Sequence, residues 1–217
     1  MLQHTDLHPQ IDQLHLKHGD SSLHAIYGAG QITSPKLFLI FMNPTGRNIS
    51  AHKTWQGLQA PWLGTKNIWK LLGQLGVFTN TQVLESISSM RPDQWTPQFS
   101  IDLYNEVANN SLYITNIAKC THIDARHVAD SVYKEFLPLL YEEIELIKPQ
   151  AIVTFGNQVS SITLGKPISV SKYPGNEYEE LALGGSKYTV YPTYYPVGQG
   201  MRNIKKAIER LNNIISI

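Results

Sequence analysis

The chain has 217 residues, of which 42% are hydrophobic and 16% are charged. This balance excludes an intrinsically disordered chain and supplies enough apolar side chains for one sizeable core, so we expect a single domain over residues 1–217. The net charge of +1 neither supports nor excludes a nucleic-acid partner, because a local basic face can bind without a basic average.

Cys120 is the only cysteine in the sequence, which excludes an internal disulfide and any zinc or iron–sulfur site built from cysteines of one chain. The first ten residues contain neither a basic region nor an apolar run, so we expect no secretory signal there. No apolar segment approaches the roughly 20 residues that a membrane helix needs. We therefore expect a cytoplasmic protein with no membrane contact and no metal or other cofactor.

The spacing of apolar residues predicts helices and strands in alternation along the chain. An amphipathic helix opens the sequence, and residues 1–30 are expected to form a helical extension. Further helices are predicted at residues 65–75, 130–147, 156–162 and 202–215, with one or two more in 80–110, broken around Pro92 and Pro97. The predicted strands span residues 37–42, 111–120, 151–156 and 186–196.

Short and nearly all-apolar strands that alternate with helices indicate a parallel sheet covered on both faces. The predicted fold is an α/β protein, a three-layer α/β/α sandwich around a parallel four-stranded sheet. Ligands of such sheets bind outside the carboxyl ends of the strands, where Asn43, Asn116, Gly156 and Tyr195 lie. An ordinary turn also explains Asn43-Pro44, because both residues favour turns, but polar residues at the other strand ends favour a site.

Five segments, in the same order, resemble the uracil-DNA glycosylase superfamily from about Leu37 to Leu211. The segment FMNPTGRN is similar to the first motif of the mismatch-specific and single-strand-selective branches. The other four resemble the iron–sulfur branch: APWLGTKNIWKLLGQLGV, YITNIAKC, FLPLLYEEIELIKPQAIVTFGNQ and VYPTYYPVGQGMRN. The resemblance implies a uracil-DNA glycosylase-like fold and hydrolysis of the N-glycosidic bond of uracil, or of a related damaged or mismatched base, in base-excision repair.

The chain also departs from the family pattern at positions that carry chemistry. Asn43 stands where efficient members have an aspartate, Met42 where the iron–sulfur branch has a glutamate, and Tyr195 where a histidine is usual. Of the four cluster cysteines only Cys120 remains, and Phe136 occupies the place of another. The resemblance therefore implies a slow or selective enzyme without a cluster. It is expected to be monofunctional, because no motif places a lysine as a Schiff-base nucleophile.

The resemblance assigns two catalytic residues and three that contact the base. Asn43 would orient the attacking water, and Tyr195 would either donate a hydrogen bond to the base or fill the space of the missing histidine. Trp62 would stack on the base or pack in the core, Asn116 would read the base edge or cap a strand-end turn, and Met42 would line the pocket.

Contacts to DNA are expected from the loops beyond the strand ends, and the protein is expected to be a monomer. The predicted phosphate contacts are Arg47, Lys53, Lys119 and Arg202, with His52, His122 and Arg126 on the same rim. Val197 or Met201 would wedge into the base stack. Two other functions remain open: a catalytically silent module that binds DNA or a nucleobase, and an unrelated nucleotide-binding domain, which the absence of a glycine-rich phosphate motif disfavours.

Overall fold

The computed structural model describes residues 3–125, 128–196 and 198–215, the side chains of residues 198, 199 and 201 excepted. The strands in these ranges are β1 (Ala29–Gly30), β2 (Leu37–Phe41), β3 (Leu112–Asn116), β4 (Ala151–Phe155), β5 (Glu179–Leu183) and β6 (Ser186–Thr193). The α-helices are α1 (His8–His18), α2 (Asn67–Gln74), α3 (Thr81–Ser89), α4 (Pro97–Asn109), α5 (Asp130–Ile147), α6 (Asn157–Leu164) and α7 (Ile204–Ile215).

The described strands form one sheet in the order β1-β3-β2-β4-β6-β5. The four central strands are parallel, which confirms the predicted α/β class and its parallel core. Two antiparallel strands, β1 and β5, extend this sheet at its edges and were not predicted. β5 joins β6 through Gly184 and Gly185, whose positive φ angles of 52° and 80° suit a two-residue hairpin turn.

Side chains alternate along the parallel strands and bury both faces of the sheet. On one face, Leu39 and Phe41 pack with buried residues of α2, α3, α4 and α7, such as the fully buried Trp69. On the other face, Phe38 and Ile40 pack with buried residues of α1, α5 and α6. We call these the Trp69 layer and the α5 layer. No helix within the described ranges is long and apolar enough to span a membrane.

The N-terminal segment is packed against the sheet. The predicted opening helix begins at His8, after a 3-10 turn at His4–Leu7, and its Ile11 is buried in the α5 layer. Residues 20–26 then run beside the chain that follows β3. Here the Ile26 amide donates to the Lys119 carbonyl at 3.0 Å, and the Thr121 hydroxyl donates to the His24 carbonyl at 2.7 Å. This contact covers the segment just beyond β3.

Candidate active site

The loops that leave β2 and β3 are joined at the carboxyl edge of the sheet. Phe41, the last residue of β2, is the register partner of Asn116, the last residue of β3. Farther out, the Gly46 amide donates to the His122 carbonyl at 2.7 Å. Because these loops are hydrogen-bonded to each other, the residues they carry are presented on one continuous rim.

Phe41 is the centre around which the candidate residues gather. Its ring stacks on Phe155 at a centroid distance of 4.3 Å. It also meets Trp62 edge-on at 4.9 Å and Tyr195 edge-on at 6.4 Å. Sequence reasoning did not single out Phe41, although its position at the end of a buried strand, two residues before Asn43, was a usable signal.

The side chain of Asn43 is held at both ends of its amide. Its Oδ1 accepts a hydrogen bond of 2.8 Å from the hydroxyl of Tyr133, and its Nδ2 donates to the Pro44 carbonyl at 3.1 Å. Tyr133 belongs to the α5 layer, so the Asn43 side chain leans towards the face opposite Trp62. Burial raises the pKa of Tyr133, which keeps its phenol protonated as a donor.

Tyr133 was not found from the sequence. The available signal was a tyrosine on the buried face of a helix, because a buried phenol usually needs a hydrogen-bond partner. One lone pair of the Asn43 oxygen remains for another donor, since Tyr133 occupies the first.

Trp62 adopts a left-handed backbone conformation with φ of 66°, which is rare for a bulky residue. Its carbonyl accepts hydrogen bonds from the Thr65 hydroxyl at 2.7 Å and from the Trp69 indole at 3.2 Å, and these bonds hold the turn. The indole N–H of Trp62 is buried without a hydrogen-bond partner among the described residues. Backbone strain of this kind clusters at functional sites, so the turn is consistent with a platform that faces a ligand.

Asn116 and Tyr195 lie on the same side of the sheet as Trp62. Asn116 is 3% exposed, and its register with Phe41 places its side chain on the face of the Trp69 layer. Tyr195 is half-buried, and burial raises its pKa to about 12. Beside it lies a surface cavity of about 290 Å³, whose lining includes Tyr195 but not Asn43, Trp62 or Asn116. The cavity is lined by Gly156, Asn157, Ser169, Ser171, Tyr195 and Asn203, among others.

The profile of the Uracil DNA glycosylase superfamily matches residues 28–215 of this chain. The chain belongs to this superfamily. It is 31% identical over 101 residues to the type-4 uracil-DNA glycosylase of Saccharolobus solfataricus, a match that covers 43% of this chain and 46% of that protein. It is 30% identical over 106 residues to the type-4 uracil-DNA glycosylase of Thermotoga maritima, covering 48% and 53%. The chain thus spans about half the length of the curated relatives it matches, and the resemblance stated from its motifs is confirmed.

The remaining residues predicted to contact the base or DNA differ in their exposure to solvent. Arg47, Lys53 and Arg202 are exposed, whereas Met42 is half-buried and packs against the α5 layer. Two predictions fall outside what the structure describes: residue Val197 and the side chain of Met201. Arg126 also lies outside the described residues, while His52 is exposed and His122 is half-buried.

The prediction that Lys119 contacts DNA is wrong. Lys119 is only 1% exposed, because residues 20–26 cover the chain beyond β3. Its ammonium forms an ion pair of 2.7 Å with Glu143, which is 4% exposed, and also donates to the Asn116 carbonyl at 2.8 Å. A buried and paired ammonium cannot reach a phosphate.

The residues present do not fit the iron–sulfur cluster of the branch that the motifs resemble. Cys120 and Phe136 are both fully buried in the apolar packing of the α5 layer. Burial raises the pKa of the Cys120 thiol to about 12, and the sequence holds no second cysteine. In the described part of the chain, no three His, Cys, Asp or Glu side chains are grouped as metal ligands.

Proposed function

We propose that this chain is a monofunctional DNA glycosylase that hydrolyses the N-glycosidic bond of uracil, or of a related damaged or mismatched base, in base-excision repair. The observation that supports this most directly is the grouping of Trp62, Tyr195 and Asn116 around Phe41 at the carboxyl edge of the sheet, with Asn43 two residues beyond Phe41. Membership of the superfamily adds support. We place the enzyme in the cytoplasm, acting as a monomer on DNA.

The first step is binding of a base that has left the duplex stack. Flipping costs a few kcal/mol, so the pocket must offer compensating contacts. The Trp62 indole, fixed edge-on to Phe41, gives a rigid aromatic surface for stacking. Asn116 carries a donor and an acceptor on one amide, which matches the N3–H and O4 edge of uracil.

The second step is cleavage of the bond between C1′ and the base. The bonding electrons leave with the base, the sugar becomes cationic, and water adds to C1′. The proton that water loses neutralises the base anion. Asn43 orients this water and faces the cation with its amide oxygen, which Tyr133 holds in place. Tyr195 donates its phenolic proton in a hydrogen bond to the departing base, and its pKa of about 12 keeps it protonated.

A Schiff-base mechanism is not part of the proposal. Lys119 is the lysine whose side chain reaches the backbone of Asn116, but it is buried and paired with Glu143. We therefore expect no covalent DNA adduct when borohydride is added during the reaction.

DNA is held by cations on the rim of the site. Arg47 lies in the joined loops beyond β2 and β3, and Arg202 precedes α7. Lys53 is exposed and lies 3.4 Å from His24 Nδ1. Three exposed cations suit a modest, salt-sensitive contact with the DNA backbone.

A catalytically silent nucleobase-binding module is the second candidate. The observation that favours it is Asn43 itself: a neutral amide stands at the catalytic strand end, and part of its oxygen is already engaged by Tyr133. An ionised carboxylate would stabilise the sugar cation far more strongly.

Release of free base distinguishes the two candidates. The purified chain is incubated with oligonucleotides that carry one uracil, either single-stranded or opposite guanine, and abasic product is measured by alkaline cleavage. The glycosylase proposal expects time-dependent release that is much slower, but still measurable, in the Asn116→Ala variant. Tight binding of the uracil oligonucleotide without release of base, even with several equivalents of enzyme per oligonucleotide, would support the silent module instead.

A further inference from the structure

A buried ion pair lies directly behind Asn116. Lys119 and Glu143 are 1% and 4% exposed, and their Nζ and Oε2 atoms are 2.7 Å apart. The same carboxylate accepts a hydrogen bond of 2.7 Å from the Tyr113 hydroxyl and one of 3.2 Å from the Thr115 hydroxyl. Tyr113 and Thr115 are residues of β3, so the carboxylate binds the strand that ends at Asn116.

The ammonium of Lys119 links this buried pair to the backbone of Asn116. Besides Glu143, it donates to the Asn116 carbonyl oxygen at 2.8 Å. Since Lys119 follows Asn116 by three residues, the bond closes a turn and fixes the peptide plane that leaves Asn116. The direction of the Asn116 side chain depends on that plane. None of the described residues makes a hydrogen bond to the Asn116 side-chain amide, which leaves both of its polar groups for a ligand.

Stability alone does not account for this pair. A buried ion pair loses so much hydration that apolar side chains of the same volume often give an equally stable protein. The chain nevertheless packs closely against the pair just before β1: a Cβ added to Gly28 would overlap both the Glu143 Oε1 atom and the Tyr113 hydroxyl. The site is therefore built around the carboxylate.

We propose that Lys119, held by Glu143, is a positioning residue that fixes Asn116 for recognition of the flipped base. This inference rests on the glycosylase function proposed above. It accounts for a lysine that faces the interior at the end of the strand that carries the base-reading amide. Lys119 touches neither the base nor the DNA and acts through the backbone of Asn116.

The test removes both charges together, so that neither is left buried without a partner. Lys119→Met with Glu143→Gln retains an oxygen acceptor for Tyr113 but loses the bond to the Asn116 carbonyl. Lys187→Met with Glu180→Gln is the matched control, because it neutralises an exposed pair of 2.9 Å on the β5–β6 hairpin. Single-turnover release of uracil is measured at a temperature where every variant is folded.

We expect the first double variant to release uracil at least tenfold more slowly, with less than a threefold change in the Kd for the oligonucleotide, and the control pair to match the wild type. In an Asn116→Ala background the same double substitution should have no further effect, because the side chain through which it acts is already absent. An unchanged rate, or an equal loss in both backgrounds, would overturn the proposal. If the double variant does not fold, Lys119→Met, Glu143→Leu and Tyr113→Phe together replace it, because they remove the same bond to Asn116 and leave no buried charge, and the same two comparisons decide.

A second measurement separates this proposal from the glycosylase proposal. In NMR spectra, the side-chain amide signals of Asn116 should shift or broaden in the double variant, while those of Asn48, whose buried amide donates to the Ala60 carbonyl at 2.8 Å, should stay in place. If the wild-type chain releases no base, the glycosylase function fails and this spectrum alone decides the positioning role. Unmoved Asn116 signals would then overturn it.

Discussion

The hydroxyl of Tyr133 donates a hydrogen bond of 2.8 Å to the side-chain oxygen of Asn43, across 90 residues of sequence. It fixes which end of the amide is the oxygen, and the bond from Nδ2 to the Pro44 carbonyl fixes the other end. A freely rotating amide would present its donor and acceptor to water equally often. The contact with α5 therefore turns a strand-end asparagine into an oriented polar group.

Tyr133→Phe should slow uracil release about fivefold, because one neutral hydrogen bond contributes on the order of 1 kcal/mol and the amide loses its orientation. Tyr141→Phe is the matched control on the same helix, since its hydroxyl donates to the Thr163 carbonyl at 2.9 Å instead. Both variants should lose a similar amount of thermal stability. Equal release rates for the two variants would show that the Tyr133 hydroxyl does not contribute to catalysis.

Tyr195→Phe tests whether the phenol donates to the departing base or only fills space. The ring would still pack against Phe41, so the melting temperature should change little, while release should fall about tenfold if the hydroxyl acts. A rate equal to that of the wild type would leave Tyr195 as a packing residue.

The pH dependence follows from the raised pKa of Tyr195, about 12 against an unfolded value near 10. The stability from burying the neutral phenol is fully present below about pH 10 and is lost as the pH rises through about 12. Wild-type release should therefore show no loss from this group between about pH 6 and 10, as a rate profile over that range will show.

Arg47→Ala and Arg202→Ala should each reduce the salt dependence of duplex binding. We expect a wild-type slope of roughly −3 to −5 in the logarithm of affinity against the logarithm of salt, and a decrease in magnitude of about one for each phosphate contact removed. Lys187→Ala is the control, because Lys187 lies near the start of β6, away from the carboxyl edge. A wild-type chain with no affinity for DNA at low salt would contradict a DNA partner.

The fold was predictable wherever the local sequence pattern marks an element by itself. α5 has the predicted bounds, Asp130–Ile147, because its apolar residues keep helical spacing and Lys148-Pro149 ends it. β1 has two residues and exists only through its pairing with β3, so no local pattern marks it. β5 was missed although Gly184-Gly185 is a hairpin signal.

The candidate site was predictable only in part, because local sequence patterns do not show contacts between distant elements. The rule that ligands bind beyond the carboxyl ends of parallel strands made Asn43 and Asn116 candidates, and the structure has both at that edge of the sheet. Tyr133 did not follow, because its contact joins elements distant in sequence. Lys119 was placed on the DNA rim in error, since its burial depends on residues 20–26, which no motif connects to β3.

Asn43→Asp should raise uracil release at least tenfold, about 1.4 kcal/mol of transition-state stabilisation, because a carboxylate stabilises the sugar cation better than an amide dipole. A carboxylate still accepts from Tyr133, but it places an oxygen near the Pro44 carbonyl, where the amide now donates at 3.1 Å. We therefore expect a melting temperature a few degrees lower. The gain should vanish at acidic pH as the new carboxyl group is protonated, and a rate profile that lacks this acidic inflection would contradict the explanation.

The most direct test of the proposed function is base release by the wild-type chain and by Asn43→Ala, measured on a single-stranded uracil oligonucleotide alongside thermal melting. We expect the wild type to release uracil, and Asn43→Ala, folded and melting within a few degrees of the wild type, to release none. Undiminished release by folded Asn43→Ala, or no release by the wild type, would contradict this expectation.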